Sequence, residues 1–380
     1  MQKFDYIITG SGASGLLLAY QLSQDSFFDS KQILILDREE KTTNDKTWCF
    51  WEKENGIWDT IVYKKWETIF FGSPSFSKSI HIAPYVYKMI RSSDFYRFVL
   101  GSLEHKNNFT LQKAHITAIK DNNDLVEVQT DTHNYIGSKV FNSALRSESY
   151  VHQKKYPVLN QHFIGWFIKT PKAVFNDGMA TFMDFNVDQN GNTRFMYVLP
   201  VSSTEALFEY TLFSEDLLEK ENYENAIISY LKAQHITDYQ ITEKEHGCIP
   251  MTCYPFEKQN TKNILNIGTA GGWTKPSTGY TFSISASKTK ALKEYLKKNE
   301  DLSKFQSKSR FWYYDLIFLD VLYHKNHLGA ALFSTLFRKN KIHTILSFLD
   351  EKTSIIQELK IMASFPSANF IKMILKRLFS

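Results

Sequence analysis

Gly10-Ser11-Gly12-Ala13-Ser14-Gly15 is the stretch that decides the fold. It follows a short apolar run, Phe4 to Thr9, and opens a segment, Ala13 to Gln24, in which Leu16, Leu17, Ala19, Tyr20 and Leu22 recur at helical spacing. A second apolar run, Ile33 to Leu36, ends at Asp37, about 20 residues beyond the glycines, as a dinucleotide fingerprint requires. Strand, glycine turn, helix and strand make one βαβ unit. Gly10 suits the tight turn, Gly12 lets the backbone approach a pyrophosphate drawn to the helix N-terminus, and Gly15 allows the helix to pack closely. Asp37 is placed to accept bonds from an adenosine ribose, and Arg38 beside it completes the candidate set. A glycine loop without a ligand is the bland alternative, and the coincidence of all four features disfavours it.

A second glycine-rich turn lies far downstream. The run Ile264 to Gly268 leads into Asn266-Ile267-Gly268-Thr269-Ala270-Gly271-Gly272 and Pro276-Ser277-Thr278-Gly279, with a helix predicted over 279–298. This turn resembles the late flavin motif of FAD enzymes related to the aromatic hydroxylases. The resemblance implies FAD as the nucleotide, with Gly268, Gly271, Gly272 and Gly279 approaching its phosphate and ring. Thr269 stands where an acidic residue is common, and Gly279 has a helix-capping role as its alternative.

The fold class that follows is α/β: a Rossmann-type FAD-binding domain, an antiparallel-sheet substrate domain and a helical C-terminal region. Strand-like runs at Gly165 to Lys169, Ala180 to Phe185, Thr193 to Leu199 and Ala206 to Thr211 predict the sheet. Ser93 to Leu103 reads as a helix, Leu111 to Gln129 as a hairpin, and Trp48 to Phe76 as aromatic and irregular. The FAD domain is expected over 1–75, 93–150 and 262–300, the sheet domain over 76–92 and 151–261, and the helical region over 301–380.

Composition narrows the class further. The chain of 380 residues is 43% hydrophobic and carries a net charge of +5, enough for a large core and too little basic patterning for nucleic-acid binding. Cys49, Cys248 and Cys253 form neither a disulfide framework nor a zinc-type pair, which points to a reducing, cytoplasmic setting. No secretory signal is expected at Met1 to Tyr6, and no metal at His324 and His327. No stretch reaches the ~20 apolar residues of a spanning helix, so membrane contact is expected to be peripheral, on the inner face. The basic, amphipathic tail from Phe370 to Phe379 is its candidate, with docking on the protein body as the alternative.

Four further stretches carry a resemblance over nearly the whole chain. Lys46-Thr47-Trp48-Cys49-Phe50-Trp51, Gln161-His162-Phe163-Ile164-Gly165-Trp166 with Met183-Asp184-Phe185, Phe208-Glu209-Tyr210-Thr211, and Ile249-Pro250-Met251 followed by Gly271 to Tyr280 occur in the order seen in the lycopene β-cyclases. Asn142 departs from that pattern, where an aspartate is common. The resemblance implies a linear carotenoid substrate, lycopene or a relative, whose ends close into β-rings without net oxidation. It further implies reduced FAD, with NADPH as the plausible electron source.

Such a reaction needs a positioned acid, a cation-tolerant aromatic wall and exclusion of water. Glu209 is the candidate acid, because an apolar strand would keep its carboxyl protonated; the alternative is a solvent-facing strand residue. Trp48, Phe50, Trp51, Trp166, Phe185 and Trp273 are candidates for the tunnel wall, against plain packing. The rival functions are a flavin monooxygenase or prenyl reductase on the same scaffold, and a non-enzymatic carotenoid carrier.

Overall fold

The structure is a computed structural model that describes residues 2–53, 55–145, 148–305 and 307–378. The chain divides into two units, each discontinuous in sequence. Met1–Trp48, Arg91–Tyr156 and Cys253–Trp312 form the first; Cys49–Ile90, Pro157–Thr252 and Tyr313–Ser380 form the second.

The first unit is built on the predicted βαβ core. Gln2–Thr9 pairs in parallel with Ile33–Asp37 on one side and Asn134–Asn142 on the other. Phe109–Lys113 extends the parallel sheet beyond Ile33–Asp37, and Ile264–Asn266 adds in parallel to Asn134–Asn142. Val126–Thr130 and Ile116–Asp121 form an antiparallel hairpin, whereas Leu111, expected in it, lies on the parallel strand Phe109–Lys113. The central strands read as unbroken apolar runs because both faces are covered: Ile7, Ile8, Leu34 and Ile35 have no exposed surface. The helices Ala13–Ser23 and Phe282–Leu296 run side by side, tied by a buried contact between Ser14 Oγ and Ser285 Oγ at 2.9 Å.

The second unit holds a seven-stranded sheet in the order Gln240–Thr252, Val158–Lys169, Glu205–Ser214, Thr193–Pro200, Met179–Asp184, Thr68–Gly72, Lys78–His81. Neighbours are antiparallel except Thr68–Gly72, which pairs in parallel with Met179–Asp184. Residues 49–75 belong to this second unit, Thr68–Gly72 in its seven-stranded sheet and Thr47–Glu52 and Val62–Trp66 in a three-stranded sheet with Val86–Arg91, and the expectation that placed them in the nucleotide domain is corrected. The supposedly irregular stretch holds the strands Thr47–Glu52, Val62–Trp66 and Thr68–Gly72. Bulky aromatics on both sides of these short strands masked their alternation.

Two helical elements cover this sheet. Lys220–Ala233 lays Tyr223, Ile227 and Leu231 against Trp166, Ile168, Phe208, Tyr210 and Leu212. The helix Gly329–Lys339 stacks Phe333 on Phe185 and Phe337 on Phe71, the latter with centroids 4.2 Å apart. Asn326 clamps the approach, its Oδ1 accepting from Thr193 N at 2.7 Å and its Nδ2 donating to the Phe213 carbonyl at 2.9 Å. The helical C-terminal region from Tyr313 is thus part of the sheet unit, instead of the separate region expected.

A buried chain of hydrogen bonds stiffens the helix-covered face. Leu218 N donates to Tyr223 Oη, Tyr223 Oη lies 2.5 Å from His162 Nδ1, His162 Nε2 lies 2.7 Å from Ser214 Oγ, and Ser214 Oγ donates to the Asp216 carbonyl. With the Ser214 proton committed to that carbonyl, the imidazole must donate from Nε2 and accept at Nδ1, which only the neutral ring does. Burial and the nearby Arg194 push the His162 pKa down to about 4. Its folded-state value lies below its ordinary 6.5, so its contribution is complete above pH 6.5 and disappears as pH falls toward 4. That contribution amounts to about 3 kcal/mol. Urea unfolding at pH 7 and pH 4.5 is expected to show this acid loss in the parent and a clearly smaller one in His162→Gln. Equal pH dependence in the two proteins would refute the assignment.

Candidate functional sites

The nucleotide turn lies at the C-terminal ends of the parallel strands, the edge where such sheets bind ligands. Gly10 adopts φ +96°, and a Cβ there would fall 2.1 Å from Ser143 Oγ. Gly15 sits under the turn, where a Cβ would meet the Gly10 carbonyl oxygen at 1.9 Å. At Gly12, by contrast, a Cβ would meet nothing within 4 Å. Asp37 Oδ2 accepts from Ser11 N at 2.6 Å and Ser11 Oγ at 2.9 Å, which fixes the turn to the second strand. Arg38 is exposed, with its Nε 3.3 Å from Glu39.

The second glycine turn meets the first. A Cβ on Gly268, at φ +62°, would come within 2.5 Å of Ser14 Oγ, and one on Gly271 within 2.1 Å of the Asn266 carbonyl. Gly272 and Gly279 also have positive φ. Gly279 precedes the helix start at Phe282 and donates its N–H to the Lys275 carbonyl, so it shapes the turn and does not cap the helix. The hydroxyls of Thr269, Thr274 and Thr281 form a chain with 3.0 Å steps. Thr278 Oγ1 is buried and has no hydrogen-bond partner among the described residues. Open space at Gly12 and an orphaned hydroxyl in the adjoining turn fit a site for a phosphate-bearing ligand.

Asn142 closes the strand ends between the two turns. Its Oδ1 accepts from Thr9 Oγ1 at 2.9 Å and its Nδ2 donates to Asn266 Oδ1 at 2.8 Å. An aspartate has no donor for the second bond, so the departure noted in the sequence is matched by the asparagine at 266.

In the second unit, Glu209 lies on the sheet face opposite the Lys220–Ala233 helix, because its neighbours Phe208 and Tyr210 point into that helix-covered core. It is half-buried, and Thr211 Oγ1 donates to its Oε1 at 2.8 Å. Strand register places one row of residues across four strands on this face: Tyr197, Glu209, Gly165 and Glu245. Glu245 is buried, and a Cβ on Gly165 would come within 3.0 Å of its Cγ. The Cys49 thiol lies near both glutamates. Its pKa is raised, first by burial and further by Glu209 and Glu245, although Tyr87 hydrogen-bonds the thiol. That direction favours the neutral thiol over the thiolate at Cys49.

The aromatic expectations divide. Trp166 belongs to the helix-covered core, Phe185 is stacked on Phe333, Phe50 is buried, Trp273 has no exposed surface, and Trp48 packs among Phe95, Tyr96 and Phe282. Trp51 packs on Phe182, which also touches Tyr87 and Tyr197, the cross-strand neighbour of Glu209. Glu245, Gly165, Tyr87, Phe182 and Tyr197 were not singled out from sequence. Only the strand register, which no local pattern carries, brings Glu245 to the same glycine as Glu209.

Comparison with known proteins agrees with this layout. Among solved structures, a geranylgeranyl bacteriochlorophyll reductase-like protein from Thermoplasma acidophilum superposes with a TM-score of 0.62 at 10% identity, covering 98% of this chain and 99% of that one. The p-nitrophenol 4-monooxygenase of Pseudomonas putida DLL-E4 gives 0.59 at 11% identity, covering 98% of each chain. At those identities the likeness establishes the fold, that of the Rossmann-type flavoproteins with a second sheet domain. Lycopene beta-cyclase of Pantoea ananas is 24% identical over 294 residues, 74% of this chain and 72% of that protein. A sequence model described as lycopene cyclase protein matches residues 5–375. Since that match runs through both glycine turns and through the strand bearing Glu209, the chain belongs to the lycopene cyclase family.

Proposed function

We propose that this protein is a lycopene β-cyclase, which closes the linear ends of lycopene into β-rings, by way of γ-carotene to β-carotene, without net oxidation. The observation that carries the reading is Glu209: a half-buried carboxyl oriented by Thr211, on a face shared with Tyr197. Protonated Glu209 gives its proton to the terminal alkene, and the resulting tertiary cation is attacked by a neighbouring double bond. Aromatic faces such as Tyr197 and Phe182 stabilise the cation through their ring quadrupoles, and their bulk keeps out the water that would trap it as an alcohol.

FAD is the proposed cofactor. Gly10, Gly12 and Gly15 would hold its pyrophosphate, Asp37 and Arg38 would serve the adenosine end, and Gly268, Gly271, Gly272 and Gly279 the flavin end. In its reduced form, with NADPH as the electron source, the cofactor supplies an electron-rich ring that favours nearby positive charge. Expression in a lycopene-accumulating bacterial cell is the direct test of the reading. A shift of pigment from lycopene to β-carotene is expected, and unchanged lycopene would overturn it.

A water-insoluble substrate must come from a lipid phase, and the C-terminal helices supply a surface for it. No described helix is long and apolar enough to cross a membrane. Ile355, Ile356 and Leu359 on the helix Ile355–Ser364 are exposed, as are Ile371, Ile374, Leu375 and Leu378 on Ser367–Leu378. The second helix is held to its unit by Phe370 against Phe318 and Phe365, and by the Arg377 guanidinium on Asp320 at 2.6 and 2.8 Å. One face thus docks while the other stays apolar and flanked by Lys360, Lys372 and Lys376; Phe379 lies outside the described residues. We assign this face to the surface of an anionic membrane. The combined variant Ile356→Ser, Ile371→Ser, Leu375→Ser is expected to weaken sedimentation with phosphatidylglycerol liposomes at least tenfold, and undiminished binding would dispose of the assignment.

A further inference from the structure

Ring closure moves two protons: one is added at the terminal alkene and a different one leaves the ring. Glu209 accounts for the first alone. The sheet face that carries it holds a second carboxyl, and its placement is specific. Glu209 and Glu245 sit on the two strands flanking Val158–Lys169, and each is directly opposite Gly165. Neighbouring strands lie about 4.8 Å apart, so the two glutamate backbones are separated by roughly 10 Å, and the residue between them in the row, Gly165, has no side chain. Glu245 leans into that gap: its Cγ and Oε1 come within 3.0 and 3.3 Å of the point a Cβ on Gly165 would occupy. Leu207, two residues before Glu209 on the same face, approaches that point to 3.0 Å from the other side. A Cβ at 165 would be in tight contact with the side chains of both Glu245 and Leu207. Glu245 is 8% exposed, and a carboxyl so far removed from water on a strand bearing exposed Lys244 and His246 is not there for solubility. The charges of both glutamates add to the upward shift that burial gives the Cys49 thiol.

We infer that Glu245 is the base of the reaction, receiving the proton that leaves the ring, while Glu209 is the acid. This rests on the cyclase reading above. The atoms balance: the Glu209 O–H bond breaks as a terminal C–H bond forms, the alkene pair makes the ring C–C bond, and a ring C–H bond breaks as its proton passes to a Glu245 oxygen. The electrons of that C–H bond become the new ring double bond, and no oxidant is consumed. Both carboxyls end with their protonation exchanged, and return of one proton from Glu245 to Glu209 resets them. Like charges on one sheet face repel, so ionisation of either carboxyl disfavours ionisation of the other. Cys49 from Thr47–Glu52, Tyr87 through that thiol, Tyr197 from Thr193–Pro200, and Glu243 one row along its own strand neighbour the pair in the same unit.

The assignment predicts a difference in kind between the two variants. In lycopene-accumulating cells, Glu209→Gln returns the substrate unchanged, because no cation forms. Glu245→Gln forms the cation and loses the selective base. Total conversion is expected to fall at least tenfold, and the products to include rings whose double bond is displaced from the β position, or hydroxylated rings from water capture. Gly165→Ala, which presses a methyl group against the Glu245 side chain while leaving both carboxyls intact, is expected to shift product identity in the same direction, and Glu245→Asp to restore mainly β-rings. A Glu245→Gln protein that makes only β-rings, at whatever rate, overturns the inference. So does a Gly165→Ala protein with parental products, should Glu245→Gln fail to accumulate. If the parent itself leaves lycopene untouched, it is the cyclase reading that fails, and the two failures are told apart in the same experiment.

Discussion

Glu209→Gln is expected to lower ring formation by about 10² to 10⁴-fold, the range general-acid catalysis supplies, while leaving the fold and flavin binding intact. The substitution is close to isosteric. The glutamine carbonyl accepts the Thr211 hydroxyl bond as Glu209 Oε1 does at 2.8 Å, so the side chain stays oriented along the strand. What disappears is the transferable proton. Because Phe208 and Tyr210 on either side point into the core beneath Lys220–Ala233, the change does not disturb packing, and a thermal midpoint within a few degrees of the parent's is expected. Pigment analysis, flavin absorbance of the purified protein and a melting curve together check all three parts. Turnover within threefold of the parent would remove Glu209 from the chemistry, whatever the identity of the other proton-handling groups.

How much of this was readable beforehand follows from the range of the interactions involved. The nucleotide turn was legible because its signals are local: Gly10 to Gly15, the helix after them and Asp37 lie within one βαβ unit, and each residue's job is set by neighbours close in sequence. The hairpin between Ile116 and Thr130 was legible for the same reason, with Asn123 at φ 72° in its turn. The placement of residues 49–75 was not, since Thr68–Gly72 pairs with a strand more than a hundred residues away, and no composition signal reports a partner at that distance. For Trp166 the choice between tunnel wall and packing stayed open because aromatic content alone does not say which face of a strand a residue takes; its register opposite Phe208 decides that. Glu209 was found through its resemblance to a family motif, whereas Glu245 is visible only once two strands are known to share Gly165. The amphipathic tail was half legible: periodicity marked an apolar face, but not that Phe370 and Met373 would turn inward while Ile371, Ile374 and Leu375 stay exposed.

Gly12→Val is the corresponding test at the nucleotide turn, and its force comes from an asymmetry among the three glycines. At Gly15 a Cβ collides with the Gly10 carbonyl at 1.9 Å, and at Gly10 it strikes Ser143 with φ at +96°, so substitutions there damage the apoprotein and report on folding. Gly12 is different. Its backbone, at φ −73° and ψ −170°, is one that any L-residue adopts, and nothing in the protein lies within 4 Å of the added carbon. Loss of glycine at this helix N-cap costs less than about 1 kcal/mol, so the apoprotein should unfold at nearly the parental urea concentration. The space that valine fills is the one a pyrophosphate needs in order to reach the N-terminal amides of Ala13–Ser23. Flavin affinity is therefore expected to fall at least a hundredfold, read as a colourless purified protein and as titration of the apoprotein with FAD by fluorescence quenching. Parental flavin content in Gly12→Val would mean that the phosphates do not pass over this residue. Lost stability together with lost flavin would mean that Gly12 serves the fold and that the open space in front of it is not the reason for the glycine.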